Sequence, residues 1–229
     1  MRIAVTRLKE KAGRDRETCK EYGHTCNTVS PMKSEIYHDS ADIFIEKANN
    51  GNYDCIFFTS ALPAAIIAPR LRISARVVAI GPQTAATLEK YGIKTEILPA
   101  FYSRDFAPYL GGWLKGKNIG IPRADVPNPE LIRSVEEGGG IVDEIPVYAL
   151  EATGERLRLE DADAVLFTSA NSFSLAVWDK ETEIIKIAIG DITAERMKDA
   201  GIIPDVTGDG SLKGTLRELN RYTDNLKRD

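Results

Sequence analysis

Short runs centred on apolar residues recur along the chain. Residues 2–6, 26–30, 54–58, 76–80 and 94–98 form a first series. Residues 117–121, 141–148, 163–167, 184–189 and 202–206 form a second. Such runs predict strands buried on both faces. Between them the polar positions carry helix punctuation. Asn128-Pro129 offers an N-cap followed by proline, with Gly138 at the stop. Pro82 opens a helix ending at Gly92, and Asp191 caps one ending at Gly201. Ser211 starts a last helix whose Leu212, Leu216 and Leu219 form an apolar stripe for core packing. Strands alternating with helices predict parallel sheets covered by helices on both faces.

The pattern occurs twice. Phe58-Thr59-Ser60-Ala61 returns as Phe167-Thr168-Ser169-Ala170, 109 positions later. The same offset carries Asp54 onto Asp163, Ala79-Ile80-Gly81 onto Ala188-Ile189-Gly190, Thr84-Ala85 onto Thr193-Ala194, and Gly92-Ile93 onto Gly201-Ile202. Upstream the echo drifts: Ile3-Ala4-Val5-Thr6-Arg7 resembles Ile119-Gly120-Ile121-Pro122-Arg123, Gly23 falls opposite Gly139, and Pro31 opposite Pro146. A period above 100 residues means duplicated domains, because solenoid repeats run about 20–50 residues. The expected fold class is α/β: two similar flavodoxin-like domains joined by a two-strand connection. Each domain has a roughly five-stranded parallel sheet flanked by helices. Segments 32–37 and 145–151 follow the second strand of each copy and contain Tyr37 and Tyr148; they are the candidate connections.

Composition narrows the chemistry. Thirty basic residues against thirty-four acidic ones give a formal charge of −4, with no basic block, which argues against a generic nucleic-acid or membrane surface. No apolar run approaches the ~18 residues that span a bilayer. The opening Met-Arg-Ile-Ala-Val-Thr reads as a strand and lacks the apolar core of a signal peptide. Cys19, Cys26 and Cys55 form no C-x-x-C pair and are odd in number, so reduced, buried thiols in a cytoplasmic protein are expected. The two histidines are too scattered for a triad or a His-rich zinc site. His24-Thr25-Cys26 could contribute two metal ligands, but a strand-edge histidine beside a buried thiol is the plainer reading.

In open parallel sheets, ligands bind beyond the carboxyl ends of the strands. The repeated Phe-Thr-Ser-Ala and Ile-Gly-x-x-Thr-Ala elements lie there, each joining a strand to a helix start that favours an anion. Ser60, Ser169, Asn171, Thr84 and Thr193 would add neutral donors, while Gly81 and Gly190 would open the backbone to a ligand. The competing reading is that these residues only cap helices and permit turns. Arg7 and Arg123 follow the first strand of each copy and either pair with ligand carboxylates or reach solvent. Ser103-Arg104-Asp105 and Gly208-Asp209-Gly210-Ser211 are equivalent loops before each copy's last helix, fit either to close over an anion or to cap. No Walker A, G-x-G-x-x-G after a strand, H-E-x-x-H or G-x-S-x-G is present.

Val5-Thr6-Arg7, the paired Phe-Thr-Ser-Ala, Ile-Gly-Pro-Gln-Thr-Ala with its partner Ile-Gly-Asp-Ile-Thr-Ala, and Pro146-Val147-Tyr148 together resemble the uroporphyrinogen-III synthase family. The similarity spans nearly the whole chain. The departures are Ala61-Leu62-Pro63 in the first copy and Ala-Asp-Val-Pro after Arg123. The resemblance implies cyclisation of the linear tetrapyrrole hydroxymethylbilane, with loss of water and inversion of ring D through a spirocyclic pyrrolenine. It implies no metal and no organic cofactor, because the pyrrole nitrogens supply the electronic push and the protein holds the chain in a productive geometry. Tyr148 takes the place of the family's functional tyrosine, donating to the departing hydroxyl, or else packs between domains. Thr6, Arg7, Thr59, Ser60, Gly81, Thr84, Arg123, Ser169, Ala170, Asn171, Gly190 and Thr193 would bind the eight carboxylates. The family further implies an exchange of segments: 1–31 with 152–229 as one domain, 38–144 as the other, and 32–37 with 145–151 as a hinge. A monomer is the default, and hand-over from hydroxymethylbilane synthase is an expected partnership. The rival reading is a two-domain binding protein that senses an anionic small molecule without turning it over.

Overall fold

The most apolar runs form strands buried at every position, Cys55–Phe58 and Ala164–Phe167, while other strands keep exposed residues. The computed structural model describes residues 1–8, 13 and 15–226. In chain order they form β1 (Arg2–Thr6), α1 (Asp15–Glu21), β2 (Thr25–Val29), β3 (Met32–Ile36), α2 (His38–Asn49), β4 (Cys55–Phe58) and α3 (Ala61–Ile67). Next come β5 (Arg76–Ala79), α4 (Pro82–Glu89), β6 (Glu96–Ile97), α5 (Phe106–Leu110), β7 (Asn118–Ala124) and α6 (Pro129–Glu137). The chain continues with β8 (Ile141–Ala152), β9 (Ala164–Phe167), α7 (Ala170–Ser174), β10 (Ile185–Ala188), α8 (Asp191–Asp199), β11 (Val206–Thr207) and α9 (Leu212–Leu226).

These elements make two compact units, Met1–Ser34 with Glu151–Asp229, and Glu35–Leu150. The first unit has a five-stranded sheet in the order β11-β10-β9-β1-β2, parallel throughout. Its central strand pair joins the start of the chain to the second half, with Thr6 opposite Phe167. Successive residues feed opposite faces, as the two-residue period requires. Ile3, Val5 and Leu166 join Leu216 and Leu219 on one side. Ala4, Val165 and Phe167 join Phe173 and Met197 on the other. The second unit repeats the order as β8-β7-β4-β5-β6. Ile56, Phe58 and Val77 pack on one face, and Cys55, Phe57 and Val78 on the other. Each such fully buried aliphatic or aromatic side chain contributes roughly 1.5–3 kcal/mol.

Four details differ from expectation. The second sheet is mixed, not wholly parallel, because β3 adds to β8 at its edge. The hydrogen bonds Thr153 N to Pro31 O and Tyr37 N to Val147 O run in opposite senses along the two strands. The strand expected at 202–206 shrinks to Val206–Thr207. Pro204 has no N–H for a ladder, and Asp205 instead clasps Lys186 through both its own N–H and its carboxylate. Asp191 is the first residue of α8, and extended Gly190 holds the N-cap position. Finally, Cys19 and Cys26 are not free thiols but a disulfide with Cα atoms 6.0 Å apart. The turn after α1 reverses the chain, His24 N–H returning to Cys19 O at 3.0 Å, so the end of the helix meets the start of β2. Cys55 stays a free, buried thiol, which burial pushes up to about 12.

Candidate functional site

Most of the expected site residues lie at or just beyond the carboxyl end of a strand, with Thr84 and Thr193 in the first turn of the following helices and Tyr148 within β8, but the structure uses them in different ways. In the first unit, Thr6 is fully buried, donates to Leu166 O at 3.1 Å and lies 2.9 Å from Ser172 Oγ. It also accepts from Thr168 N–H at 3.2 Å. Thr6, expected to bind substrate, is therefore a clasp between β1 and the start of α7, and its hydroxyl is spent. Ser169 is the N-cap of α7, accepting from Ser172 N–H at 3.0 Å, while Ser172 Oγ accepts from Ser169 N–H at 3.0 Å. This reciprocal capping box occupies the Ser169 hydroxyl. Ala170 and Asn171 open the helix, and Asn171 is exposed.

The second unit carries the same words with different grammar. Ser60 is the N-cap of α3 in extended backbone, yet it makes no side-chain cap hydrogen bond. The residue that matches Ser172 here is Pro63, which has neither an N–H nor a hydroxyl to offer. Half-buried Thr59 and Ser60 thus stand at the sheet edge without the clasp that holds their counterparts. Gly81 and Gly190 are the N-cap residues of α4 and α8, both extended. One turn in, Thr84 and Thr193 are buried, each only 3% exposed.

The two arginines are held by their own units. Arg7 Nε stands 2.6 Å from Asp15 Oδ2, but neither atom has an aligned hydrogen-bond partner. Burial outweighs the Arg7 charge and raises the Asp15 carboxyl above its ordinary value. Arg123 is buried, with its guanidinium engaged by Glu144 and by the Val126 carbonyl. That engagement follows from register: β7 and β8 place Ile121 opposite Glu144, one side-chain step from Arg123. In place of the two expected fates, ligand carboxylate or solvent, each arginine is paired with a carboxylate of its own unit.

Tyr148 is 7% exposed, its ring packed in the cluster with Ile56, Phe58, Ala64 and Val147. Its carbonyl accepts from Asp125 N–H at 2.7 Å, holding the residue that follows β7. No side-chain hydrogen bond among the described residues engages its hydroxyl. Among the described residues no group of three or more His, Cys, Asp and Glu is placed to hold a metal ion, and Cys26 is committed to its disulfide. No described helix is long and apolar enough to cross a membrane.

Sequence reasoning missed Ser172, Asp15 and Glu144, the groups that turn Thr6, Arg7 and Arg123 inward. The Ser-x-x-Ser spacing of a capping box was the one local signal available. It also missed Phe101, beyond β6, whose ring would lie 3.6 Å from a Cβ at Gly81.

Comparison with known proteins bears on the whole chain. Residues 14–211 match the family model described as uroporphyrinogen-III synthase HemD. A provisionally named uroporphyrinogen-III synthase of Methanothermobacter thermautotrophicus is 26% identical over 230 residues, covering 87% of this chain and 90% of that protein. A uroporphyrinogen-III synthase of Chlorobaculum parvum is 33% identical over 96 residues, 38% of this chain and 37% of the relative. Among solved structures, the uroporphyrinogen-III synthetase of Helicobacter pylori superposes with a TM-score of 0.67 at 16% identity, covering 96% of this chain and 99% of that one. A mutant uroporphyrinogen III synthase of Thermus thermophilus superposes at 0.60 and 19% identity, covering 98% and 99%. At such identities these two likenesses concern the fold.

Proposed function

The chain belongs to the uroporphyrinogen-III synthase family, and from that premise we propose that it closes hydroxymethylbilane to uroporphyrinogen III with inversion of ring D. The reaction is a cofactor-independent dehydration and cyclisation, formally a lyase step, carried out by a monomer in the cytoplasm on bilane received from hydroxymethylbilane synthase. No finding favours a binding protein without turnover.

The observation that carries the mechanism is Tyr148, a tyrosine with its ring fixed in the core and its hydroxyl uncommitted. The bond between the ring A methylene and its hydroxyl breaks as the pyrrole nitrogen pushes electrons outward. The phenol gives its proton to the departing oxygen, which leaves as water. Ring D then attacks through its substituted carbon, and the spirocyclic intermediate fragments and recloses with the ring turned over. The proton released when the final pyrrole regains aromaticity returns to the Tyr148 oxygen, so the enzyme ends as it began. The remaining work is positioning. Thr59 and Ser60, free of the clasp seen at Ser169, and the glycine-capped starts of α4 and α8 are suited to carboxylates. In the first unit Asn171 and the backbone of Ala170 serve the same end, with Thr6, Arg7 and Arg123 holding the edges in shape.

The test is incubation with freshly generated hydroxymethylbilane followed by isomer analysis. The type III isomer is expected to dominate. Only the type I ring, formed at the spontaneous rate, would count against the proposal. With Tyr148→Phe, kcat should fall at least about tenfold while the melting temperature stays close to wild type.

A further inference from the structure

Among the described residues Phe101 is the only non-glycine residue with a positive φ, at 60°. Its place in the repeat explains why the backbone turns there. The offset of 109 that relates Gly81 to Gly190 relates Phe101 to Gly210, and Gly210 has a φ of 90°. Both copies therefore need a left-handed residue in the loop that covers the glycine N-cap of the neighbouring helix. A Cβ on Gly190 would meet the Gly210 backbone at 3.2 Å, and a Cβ on Gly81 would meet the Phe101 ring at 3.6 Å. One copy fills this position with the residue that adopts the conformation freely, and the other with a bulky aromatic that a Cβ clash disfavours.

The contact with Gly81 accounts for only part of the phenylalanine side chain. Phe101 remains 53% exposed and its neighbour Tyr102 56% exposed. The Arg104 guanidinium lies over the Tyr102 ring, 4.6 Å from its centre, which sets a cation beside the exposed aromatic that follows Phe101. Phe101 lies just beyond β6, against Gly81 at the start of α4, and Ser103, beside Arg104, accepts from Asn128 Nδ2 at the start of α6. A strained, solvent-facing aromatic at a ligand edge is the kind of local cost that persists for function.

We infer that Phe101 is a substrate-contact residue that presents its face to a pyrrole ring of the bilane, with Arg104 alongside to receive a carboxylate. The inference deepens the synthase reading and rests on it. It assigns the two halves of the repeat different tasks: Gly210 offers only backbone, whereas Phe101 offers a flat apolar surface matched to an aromatic ring carrying acidic side chains.

The experiment compares the full chain with Phe101→Gly, Phe101→Ala and Phe101→Tyr, measuring KM and kcat on hydroxymethylbilane together with melting temperature. Glycine and alanine should each raise KM about fivefold with kcat little changed, and tyrosine should restore KM. The glycine variant should melt at or above the wild-type temperature, because it relieves the left-handed strain, whereas a merely structural phenylalanine would be missed by the fold. Wild-type protein that yields the type III isomer, with a glycine variant whose KM lies within about twofold of wild type, would overturn the role of Phe101 alone. Wild-type protein yielding only type I would overturn the synthase reading and this assignment with it.

Discussion

Thr6 Oγ1 lies 2.9 Å from Ser172 Oγ, across 166 residues of sequence. Around that contact Thr6 also holds Leu166 O and Thr168 N–H, and Thr168 Oγ1 reaches back to Thr6 O. This is what fastens the first strand of the chain to the first turn of α7. Thr6→Val keeps the shape but removes every side-chain bond and leaves the Thr168 N–H without its partner. Such a loss in a buried site costs about 1–3 kcal/mol. A urea melt should show the unfolding free energy falling by that amount through a lower midpoint at unchanged slope, and Thr6→Ser should recover most of it. A Thr6→Val protein of wild-type stability would mean that the hydroxyl is not a clasp.

The contrast between Thr6 and Ser60 shows what one chain can and cannot tell. Strands such as Cys55–Phe58 and Ala164–Phe167 were legible because every residue is apolar, and the repeat placed Ser60, Ser169, Gly81 and Gly190 at matching strand ends. Whether a hydroxyl at such an end faces a ligand or the interior depends on groups far away in sequence. Ser172 decides it for Thr6, Glu144 for Arg123 and Asp15 for Arg7. No periodicity carries that information. The disulfide was hidden for a similar reason: spacing alone does not say that α1 and β2 are joined by a reversing turn. The left-handed backbone at Phe101 had one trace, its alignment with Gly210.

The bond between Cys19 and Cys26 closes a loop of seven positions in sequence. A loop that short restricts the unfolded chain by about 2.5 kcal/mol in the chain-entropy account. Reduction, or replacement of both cysteines by serine, should lower the unfolding free energy by up to that amount. Thiol counting gives an independent check. Denatured, unreduced protein should show a single reactive thiol, Cys55, and the native protein none near neutral pH, since that thiol is buried and its ionisation is suppressed. Three reactive thiols in the denatured, unreduced chain would rule the bond out.

His24 is 8% exposed and neither ring nitrogen has a hydrogen-bond partner. Burial, aided by the positive Met1 amino group and opposed by Asn220, holds its pKa below the ordinary histidine value. The folded protein therefore binds the proton less readily than the unfolded chain does. Stability from this group is present above the ordinary value of about 6.5 and is lost as pH falls below it. Melting temperature should decline between about pH 7 and pH 5, before carboxylates titrate, and His24→Leu should flatten that decline. Below that range the lowered carboxylates follow. Burial raises Asp143, but the Lys47 ammonium and the Tyr53 hydroxyl, at 2.8 and 2.5 Å, more than reverse it. A wild-type melting temperature that does not change from pH 7 to 5 would count against a buried neutral His24.

Ser60 and Ser169 occupy the same place in the same tetrapeptide, and the structure predicts opposite consequences for losing them. Ser169 completes a capping box with Ser172, so Ser169→Ala should remove about 1 kcal/mol of stability. Ser60 caps nothing, because Pro63 stands where Ser172 would, so Ser60→Ala should leave the melting temperature almost unchanged. If the Ser60 hydroxyl receives a substrate carboxylate, the same change should raise KM on hydroxymethylbilane severalfold while kcat holds. Restoring the partner makes the comparison sharper: Pro63→Ser recreates the Ser-x-x-Ser spacing of the other copy and should draw the Ser60 hydroxyl into a cap. That variant should gain stability and lose substrate affinity together, a pairing that follows only if one hydroxyl cannot serve the helix and the ligand at once. A Pro63→Ser protein with improved melting and an unchanged KM would remove Ser60 from the binding site.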